Sequence, residues 1–132
     1  MLVTGGTGLI GRQVVQLLCD AGAQVRIVSL DALKVHDQAE HTMGDLTDFT
    51  FCKEITAGMD HVYHIAGIKG SIDVTIAKPA SFFVPLIMMN TNVLEACRVN
   101  GVEKVLYASS IGAYASGEVF KESQDEEGAP MD

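Results

Sequence analysis

Short apolar segments alternate with longer amphipathic segments along this chain. Runs rich in β-branched residues predict strands at residues 2–4, 25–30, 42–43, 61–66 and 102–108. Apolar residues at helical spacing predict helices at 9–21, 49–57 and 79–100, and residues 68–78 are expected to form a polar loop. Pro85 lies inside the last helix and is expected to kink it or to restart it.

This alternation predicts the fold class. Strands separated by helices indicate an α/β fold, a doubly wound parallel sheet of about five strands with helices on both faces. The chain has 132 residues, 48% of them hydrophobic, which fits one domain over residues 1–132. No uninterrupted apolar run approaches the ~18–20 residues of a membrane span, so no membrane partner is expected.

Charge and cysteine content narrow the function classes. The net charge is −8, and residues 118–132 hold six acids and one base. Such a balance offers no basic patch for nucleic acid and repels an anionic membrane surface. The three cysteines are widely spaced and lack a Cys-x-x-Cys pair, so neither a disulfide framework nor a metal site is expected. An odd number of cysteines without a disulfide pattern is typical of a reducing compartment, and we expect the cytoplasm.

The first motif with chemistry is a glycine-rich turn. Residues 4–11 read TGGTGLIG and carry Gly5, Gly8 and Gly11 between a predicted strand and an amphipathic helix. Gly5 permits the sharp turn, Gly8 leaves the backbone open to a pyrophosphate, and Gly11 lets the helix pack closely on the sheet. The unpaired amides and positive end of the helix then favour a diphosphate. The motif therefore predicts a dinucleotide site.

An acid after the second strand bears on the choice of cofactor. Asp31 lies about 20 residues beyond Gly11, as a ribose-binding carboxylate should. Ser29 is an alternative, because residues two apart on an extended chain face the same side. An acid repels a 2′-phosphate and favours NAD over NADP, whereas Arg26 and Lys34 keep NADP open.

Three further groups leave alternatives open. Asp45, after the third strand, either accepts a hydrogen bond from adenine or caps the next helix, as Asp48 could. His61 and His64 are three apart on a strand, so they point to opposite faces and cannot share a metal. Asn90 and Asn92 either brace the site loops or form a partly exposed polar face.

The motifs together resemble the extended short-chain dehydrogenase/reductase family, the NAD(P)-dependent sugar epimerases and dehydratases. The order of the motifs along nearly the whole chain carries the likeness: residues 4–11, Gly44-Asp45-Leu46, His64-Ile65-Ala66-Gly67, Asn92-Val93-Leu94-Glu95-Ala96 and Tyr107-Ala108-Ser109-Ser110-Ile111-Gly112-Ala113-Tyr114. Residues 79–82 and 88–92 also resemble the GDP-fucose synthase branch.

The resemblance implies a Rossmann-type fold and a role for each matching position. The glycine-rich loop, with Thr7 and the backbone of Leu9 and Ile10, would hold the pyrophosphate of NAD or NADP. Leu46 with Asp45 would flank adenine, and residues 65–67 would line the path of the nicotinamide half. The implied set of cofactor-binding residues is Gly5, Thr7, Gly8, Leu9, Ile10, Gly11, Asp31, Asp45, Leu46, Ile65, Ala66 and Gly67.

Ser110 matches the family's substrate-binding Ser/Thr. In the family a Tyr acts as acid/base beside a Lys four residues later, and hydride passes between a sugar carbon and the cofactor. This sequence has no Tyr-x-x-x-Lys pair, since Gly67, Ile111 and Glu118 follow its three tyrosines at that spacing. Either the chain is the N-terminal part of a longer enzyme that acts on a nucleotide sugar, or it is a dinucleotide-binding sensor without turnover. We expect the first, with the substrate lobe outside this chain and a homodimer of the longer protein.

Overall fold

The computed structural model describes residues 1–68 and 70–110. These residues form one parallel sheet of five strands in the order β3-β2-β1-β4-β5. The strands are β1 (Leu2–Thr4), β2 (Arg26–Ser29), β3 (Glu40–Met43), β4 (His61–His64) and β5 (Lys104–Tyr107). The helices are α1 (Gly11–Asp20), α2 (Phe49–Thr56), α3 (Ile72–Ala77) and α4 (Pro79–Asn100). The predicted doubly wound α/β fold is confirmed.

The sheet carries an apolar core on each face. On one face, Leu2, Val28 and Val62 pack with residues of α2 and α4. On the other face, Val3 and Ile27 pack with residues of α1. Alternate residues of β1 therefore enter different cores, and all three of its residues are buried. This burial on both sides is typical of parallel sheets and fixes the carboxyl ends of the strands as one rigid edge.

One prediction about local structure is corrected, and one of two alternatives is excluded. The polar loop predicted at 68–78 contains α3, because Ser71 caps a helical turn by accepting the Val74 amide and Asp73 lies in the first turn. Val74 and Ile76 of α3 are exposed, so the described side chains at 73–77 give no buried apolar face for periodicity to detect. Pro85 does not restart α4, which runs continuously over Pro79–Asn100 and has Pro79 in its first turn.

Helix α4 satisfies the length and composition of a membrane span, over Pro79–Asn100. Its residues Met89, Val93 and Cys97 are nevertheless buried in the core formed with α2 and the sheet. The absence of a membrane partner thus stays a prediction.

The three cysteines, Cys19, Cys52 and Cys97, are free and buried. Burial raises the pKa of the thiols of Cys52 and Cys97 to about 11 in each case. Both thiols are therefore protonated near neutral pH and unreactive as nucleophiles.

Candidate dinucleotide site

The glycine-rich loop leaves β1 in a conformation that requires glycine at two points. Gly5 has φ of 68°, and a β-carbon there would lie 2.8 Å from the Ala66 amide nitrogen. A β-carbon at Gly11 would overlap the Gly5 carbonyl oxygen and lie 2.8 Å from Gly6 Cα. The reason predicted for Gly11 is thus wrong in detail, since the close approach is between α1 and its own loop rather than the sheet.

The outer side of this loop presents unpaired amides. Within residues 1–68 and 70–110, the amides of Leu9 and Ile10 donate to no protein acceptor, and the side chains of both residues are exposed. A β-carbon at Gly8 would meet only the Gly5 oxygen, at 3.2 Å. Ile10 also lacks a side-chain cap, and no acid lies in the first turn of α1. The positive end of α1 is therefore open to an anion.

The Arg12 side chain forms hydrogen bonds with the glycine-rich loop. Its Nε donates to the Gly8 carbonyl oxygen and its Nη2 donates to the Thr7 carbonyl oxygen, each at 3.3 Å. These bonds keep two loop carbonyls occupied by a cation.

A cavity of about 450 Å³ opens beside the loop, at the carboxyl ends of the strands. This volume lies within the ~300–1,000 Å³ that small-molecule sites occupy. All twelve residues predicted to bind the cofactor line it: Gly5, Thr7, Gly8, Leu9, Ile10, Gly11, Asp31, Asp45, Leu46, Ile65, Ala66 and Gly67. Ser29, the alternative to Asp31, lines it as well. The other lining residues were not predicted from the sequence to bind a cofactor: Val28, Leu30, Gly44, Thr47, Ile68, Pro85 and Met89.

Asp31 lies at one end of the cavity and is held by the glycine-rich loop itself. Its Oδ1 accepts the Leu33 amide and its Oδ2 accepts the Thr7 hydroxyl, both at 3.0 Å. These bonds, the backbone one first, lower the pKa of the Asp31 carboxyl. The hydroxyl of Ser29 donates to the Asp31 carbonyl oxygen at 2.7 Å instead. Of the two candidates, Asp31 thus offers the ionised acceptor.

The loop between β3 and α2 closes the same end. The Asp45 carboxylate accepts the Thr47 amide at 2.9 Å, whereas Asp48 caps α2 by accepting the amides of Thr50 and Phe51. Of the two candidate caps, Asp48 is the one that caps α2, and Asp45 lies beside the cavity. A β-carbon at Gly44 would meet the Phe51 ring, so the ring packs directly against the loop.

The other end of the cavity lies beyond β4, at Ile65, Ala66 and Gly67. Behind it, His64 is buried, and its Nδ1 lies 2.7 Å from the Thr4 hydroxyl. Burial lowers the pKa of the His64 imidazole, opposed in part by the hydrogen bond to Asn90. His61 points to the opposite face, half-buried, with its Nε2 3.9 Å from a Glu103 oxygen. The prediction that the two histidines separate is confirmed.

Ser110 is the last of the described residues, and it does not line the cavity. Tyr114, the other predicted member of that motif, lies outside the described residues. Among residues 1–68 and 70–110, no three His, Cys, Asp or Glu residues come close enough together to hold a metal ion.

Comparison with known proteins gives this geometry a family. Residues 1–131 match the NAD dependent epimerase/dehydratase family. The chain is 34% identical to the 3 beta-hydroxysteroid dehydrogenase/Delta 5-->4-isomerase of Mycobacterium tuberculosis, over 89% of this chain and 33% of that protein. It is 30% identical to GDP-mannose 3,5-epimerase 1 of Oryza sativa subsp. japonica, over 85% of this chain and 31% of that protein.

The fold comparison agrees. The UDP-glucose 4-epimerase of Thermus thermophilus, solved in complex with NAD, superimposes with a TM-score of 0.77 at 30% identity, covering 93% of this chain and 42% of that one. The chain spans about a third of the length of the curated relatives it matches. It belongs to the NAD dependent epimerase/dehydratase family and has the family's Rossmann-type fold.

Proposed function

We propose that the cavity binds NAD, with the pyrophosphate on the glycine-rich loop. The observation that carries this proposal is the pair of unpaired amides of Leu9 and Ile10, at the positive end of α1 and on the wall of the cavity. A diphosphate carries negative charge and several acceptor oxygens, which those amides can satisfy without moving. The residues present fit the cofactor, because Gly8 leaves the approach to them open.

The adenosine half would lie toward Asp31. Its carboxylate, oriented by the bonds from Leu33 and Thr7, can accept hydrogen bonds from both ribose hydroxyls. The same charge disfavours the 2′-phosphate of NADP. The two basic residues that left NADP open in the sequence are engaged elsewhere, since Arg26 bonds to Glu40 at 3.1 Å and Lys34 to Asp37 at 2.6 Å. We therefore favour NAD over NADP.

The nicotinamide half would extend past Ala66, toward Pro85 and Met89. When bound, NAD supplies a hydride acceptor at that end. The relatives' names include a sugar epimerase and a steroid dehydrogenase, and we propose for the longer protein a nucleotide sugar whose hydroxyl or ketone exchanges hydride with the cofactor. Ser110 would hydrogen-bond that hydroxyl. A serine hydroxyl alone cannot act as the base, because it stays protonated near neutral pH.

A second candidate function is dinucleotide binding without hydride transfer. None of the tyrosines in this sequence is followed by a lysine four residues later. This favours, as the alternative, a sensor or regulatory module that binds the dinucleotide without turnover. Hydride transfer, followed as cofactor absorbance at 340 nm with a panel of nucleotide sugars, separates the two functions when the longer protein is assayed beside this chain.

We further propose a reducing compartment such as the cytoplasm, supported by three buried, unpaired thiols. For the longer protein we propose a homodimer, supported by exposed apolar side chains of Phe83, Ile87 and Met88 on α4.

Calorimetric titration of the folded chain tests the binding proposal. NAD is expected to bind at one site and more tightly than NADP. Gly8→Val places a branched side chain over the amides and is expected to weaken NAD at least tenfold, or about 1.4 kcal/mol. Ala77→Val makes a comparable addition at an exposed position of α3, away from the cavity, and is expected to change nothing. A folded chain that binds neither dinucleotide would contradict the proposal.

A further inference from the structure

Two asparagines of α4 form hydrogen bonds with elements at opposite ends of the cavity. Asn90 and Asn92 are two positions apart, so they point to different sides of the helix. Asn90 bonds toward β4 and β5, whereas Asn92 bonds toward the loop between β3 and α2. Both side chains are half-buried, and neither residue lines the cavity itself.

Asn92 acts on the adenosine end directly. Its Nδ2 donates to the carbonyl oxygens of Leu46 and Thr47, at 3.1 and 2.9 Å. Both of those residues line the cavity beside Asp45. One side-chain amide therefore fixes the orientation of two consecutive peptide units in the wall that would contact adenine.

Asn90 acts on the nicotinamide end through a chain of hydrogen bonds. Its Oδ1 lies 3.0 Å from His64 Nε2, and His64 Nδ1 lies 2.7 Å from Thr4 Oγ1. Thr4 Oγ1 in turn accepts the Ala66 amide at 3.3 Å. At its other side, Asn90 Nδ2 donates to the Tyr107 hydroxyl at 2.8 Å.

The donor and the acceptor of each hydrogen bond between Asn90 and Ala66 can be assigned. Asn90 uses its amide group on Tyr107, so its oxygen accepts from His64 Nε2–H. His64 Nδ1 is then unprotonated and accepts the Thr4 hydroxyl, whose oxygen accepts from Ala66. The neutral ring that this requires agrees with the lowered pKa of His64. Loss of Asn90 leaves a buried imidazole N–H without its acceptor and loosens the support of Ala66.

We propose that Asn90 and Asn92 are positioning residues that set the affinity for the two halves of the dinucleotide separately. Asn92 sets the affinity for the adenosine half, and Asn90 sets the additional affinity that the nicotinamide half contributes. This inference rests on the proposed binding of NAD.

Calorimetry with ADP and with NAD tests the separation, because ADP lacks the nicotinamide half. Asn92→Leu is expected to weaken ADP and NAD by the same factor, about fivefold to tenfold for two lost hydrogen bonds. Asn90→Leu is expected to leave ADP within about twofold and to weaken NAD about fivefold. Asn100→Leu is the matched control, since Asn100 bonds to Lys53 and Thr56 at the far end of the same helix. It is expected to leave both affinities unchanged.

Amide hydrogen exchange of the ligand-free chain gives a second readout. Exchange at Ala66 is expected to rise in Asn90→Leu, and exchange at Thr47 is expected to rise in Asn92→Leu, each without the other. If a leucine variant does not fold, the corresponding serine variant takes its place in both measurements.

Parallel losses of ADP and NAD in both variants would overturn the inference, and so would unchanged affinities in both. Wild-type chain that binds neither ligand would instead contradict the proposed function on which it rests. A variant effect can be scored only after that binding is seen, so the two failures are distinguishable.

Discussion

The two flanks of the central strand β1 are built differently. On the side of β2, the strand residues Ile27, Val28 and Ser29 are buried, and Asp31 contacts the glycine-rich loop directly. On the side of β4, the outer strand β5 has all four residues exposed, and Ala66 is supported through Thr4, His64 and Asn90. The β2 flank therefore adds a direct contact with the glycine-rich loop, whereas the β4 flank ends in an exposed outer strand and supports Ala66 through a polar network, although Val62 of β4 is buried in the core as well.

This difference determines how a substitution should act on each flank. A change on the β2 side is expected to alter either the core or one direct contact with the adenosine half. A change on the β4 side is expected to alter polar support behind the nicotinamide half. The glycine-rich loop joins the flanks, and a change there should damage both.

The largest effect is expected at that junction, from Gly11→Ala. The added methyl group would overlap the backbone of Gly5, which cannot move without displacing β1. We expect a loss of about 3 kcal/mol or more in the free energy of unfolding, measured by urea denaturation. Gly22→Ala is the control: that glycine has φ of 81° with open space around it, so only the backbone strain of about 1–2 kcal/mol applies. Equal losses in both variants would contradict the account of the loop.

The comparison of the flanks is tested next by truncating one apolar residue in each. Ile27 on β2 is 1% exposed, and Leu106 on β5 is 51% exposed. Ile27→Ala is expected to lower the free energy of unfolding by about 2–5 kcal/mol. Leu106→Ala is expected to lower it by less than about 1 kcal/mol, because much of that side chain is already in water. Similar losses from the two truncations would remove the distinction between the flanks.

Asp31→Asn isolates the direct contact on the β2 side. The amide keeps the size of the side chain but replaces one carboxylate oxygen that would accept hydrogen bonds from the ribose hydroxyls. It also removes the negative charge that would repel a 2′-phosphate. We expect NAD to bind about tenfold more weakly and the preference for NAD over NADP to shrink or reverse, since charged hydrogen bonds contribute about 1.5–3 kcal/mol. Titration of both dinucleotides measures this, and an unchanged ratio of their dissociation constants would exclude Asp31 as the discriminating residue.

The polar network on the β4 side gives a pH dependence. Burial lowers the pKa of His64 in the folded chain, so just below pH ~6.5 the unfolded state binds more protons than the folded state. The contribution of His64 to stability is therefore fully present above that pH. It is lost as the pH falls toward the lowered pKa, at up to ~1.4 kcal/mol per pH unit.

Urea denaturation between pH 5 and pH 8 measures this slope in the wild-type chain and in His64→Gln. The variant is expected to be less stable at neutral pH and to lose that part of the slope. Identical slopes would mean that His64 takes up its proton as readily in the folded chain as in the unfolded one.

The same division explains what the sequence could predict. The succession of strands and helices, the glycine-rich loop and the candidate Asp31 follow from sequence patterns, because each depends on residue types at short, regular spacings. The polar network joins Thr4 to His64 across 60 positions and His64 to Asn90 across 26, and no local pattern encodes such pairs. The sequence left open whether the asparagines of α4 brace the site loops or form a polar face, and the bonds from Asn92 to Leu46 and Thr47 show the first arrangement, with partners that no local pattern names. Helix α3 was missed because its signal is the Ser71 cap rather than an apolar face.

The central claim is that the open amides at the start of α1 hold the diphosphate. An NMR titration of the ¹⁵N-labelled chain with NAD tests it most directly. We expect the amide resonances of Leu9, Ile10 and Gly11 to shift downfield and to change most, with smaller changes at Thr7 and Ala66. Saturable changes that leave these amides unaffected, or that centre on the polar surface at residues 34–38, would contradict it.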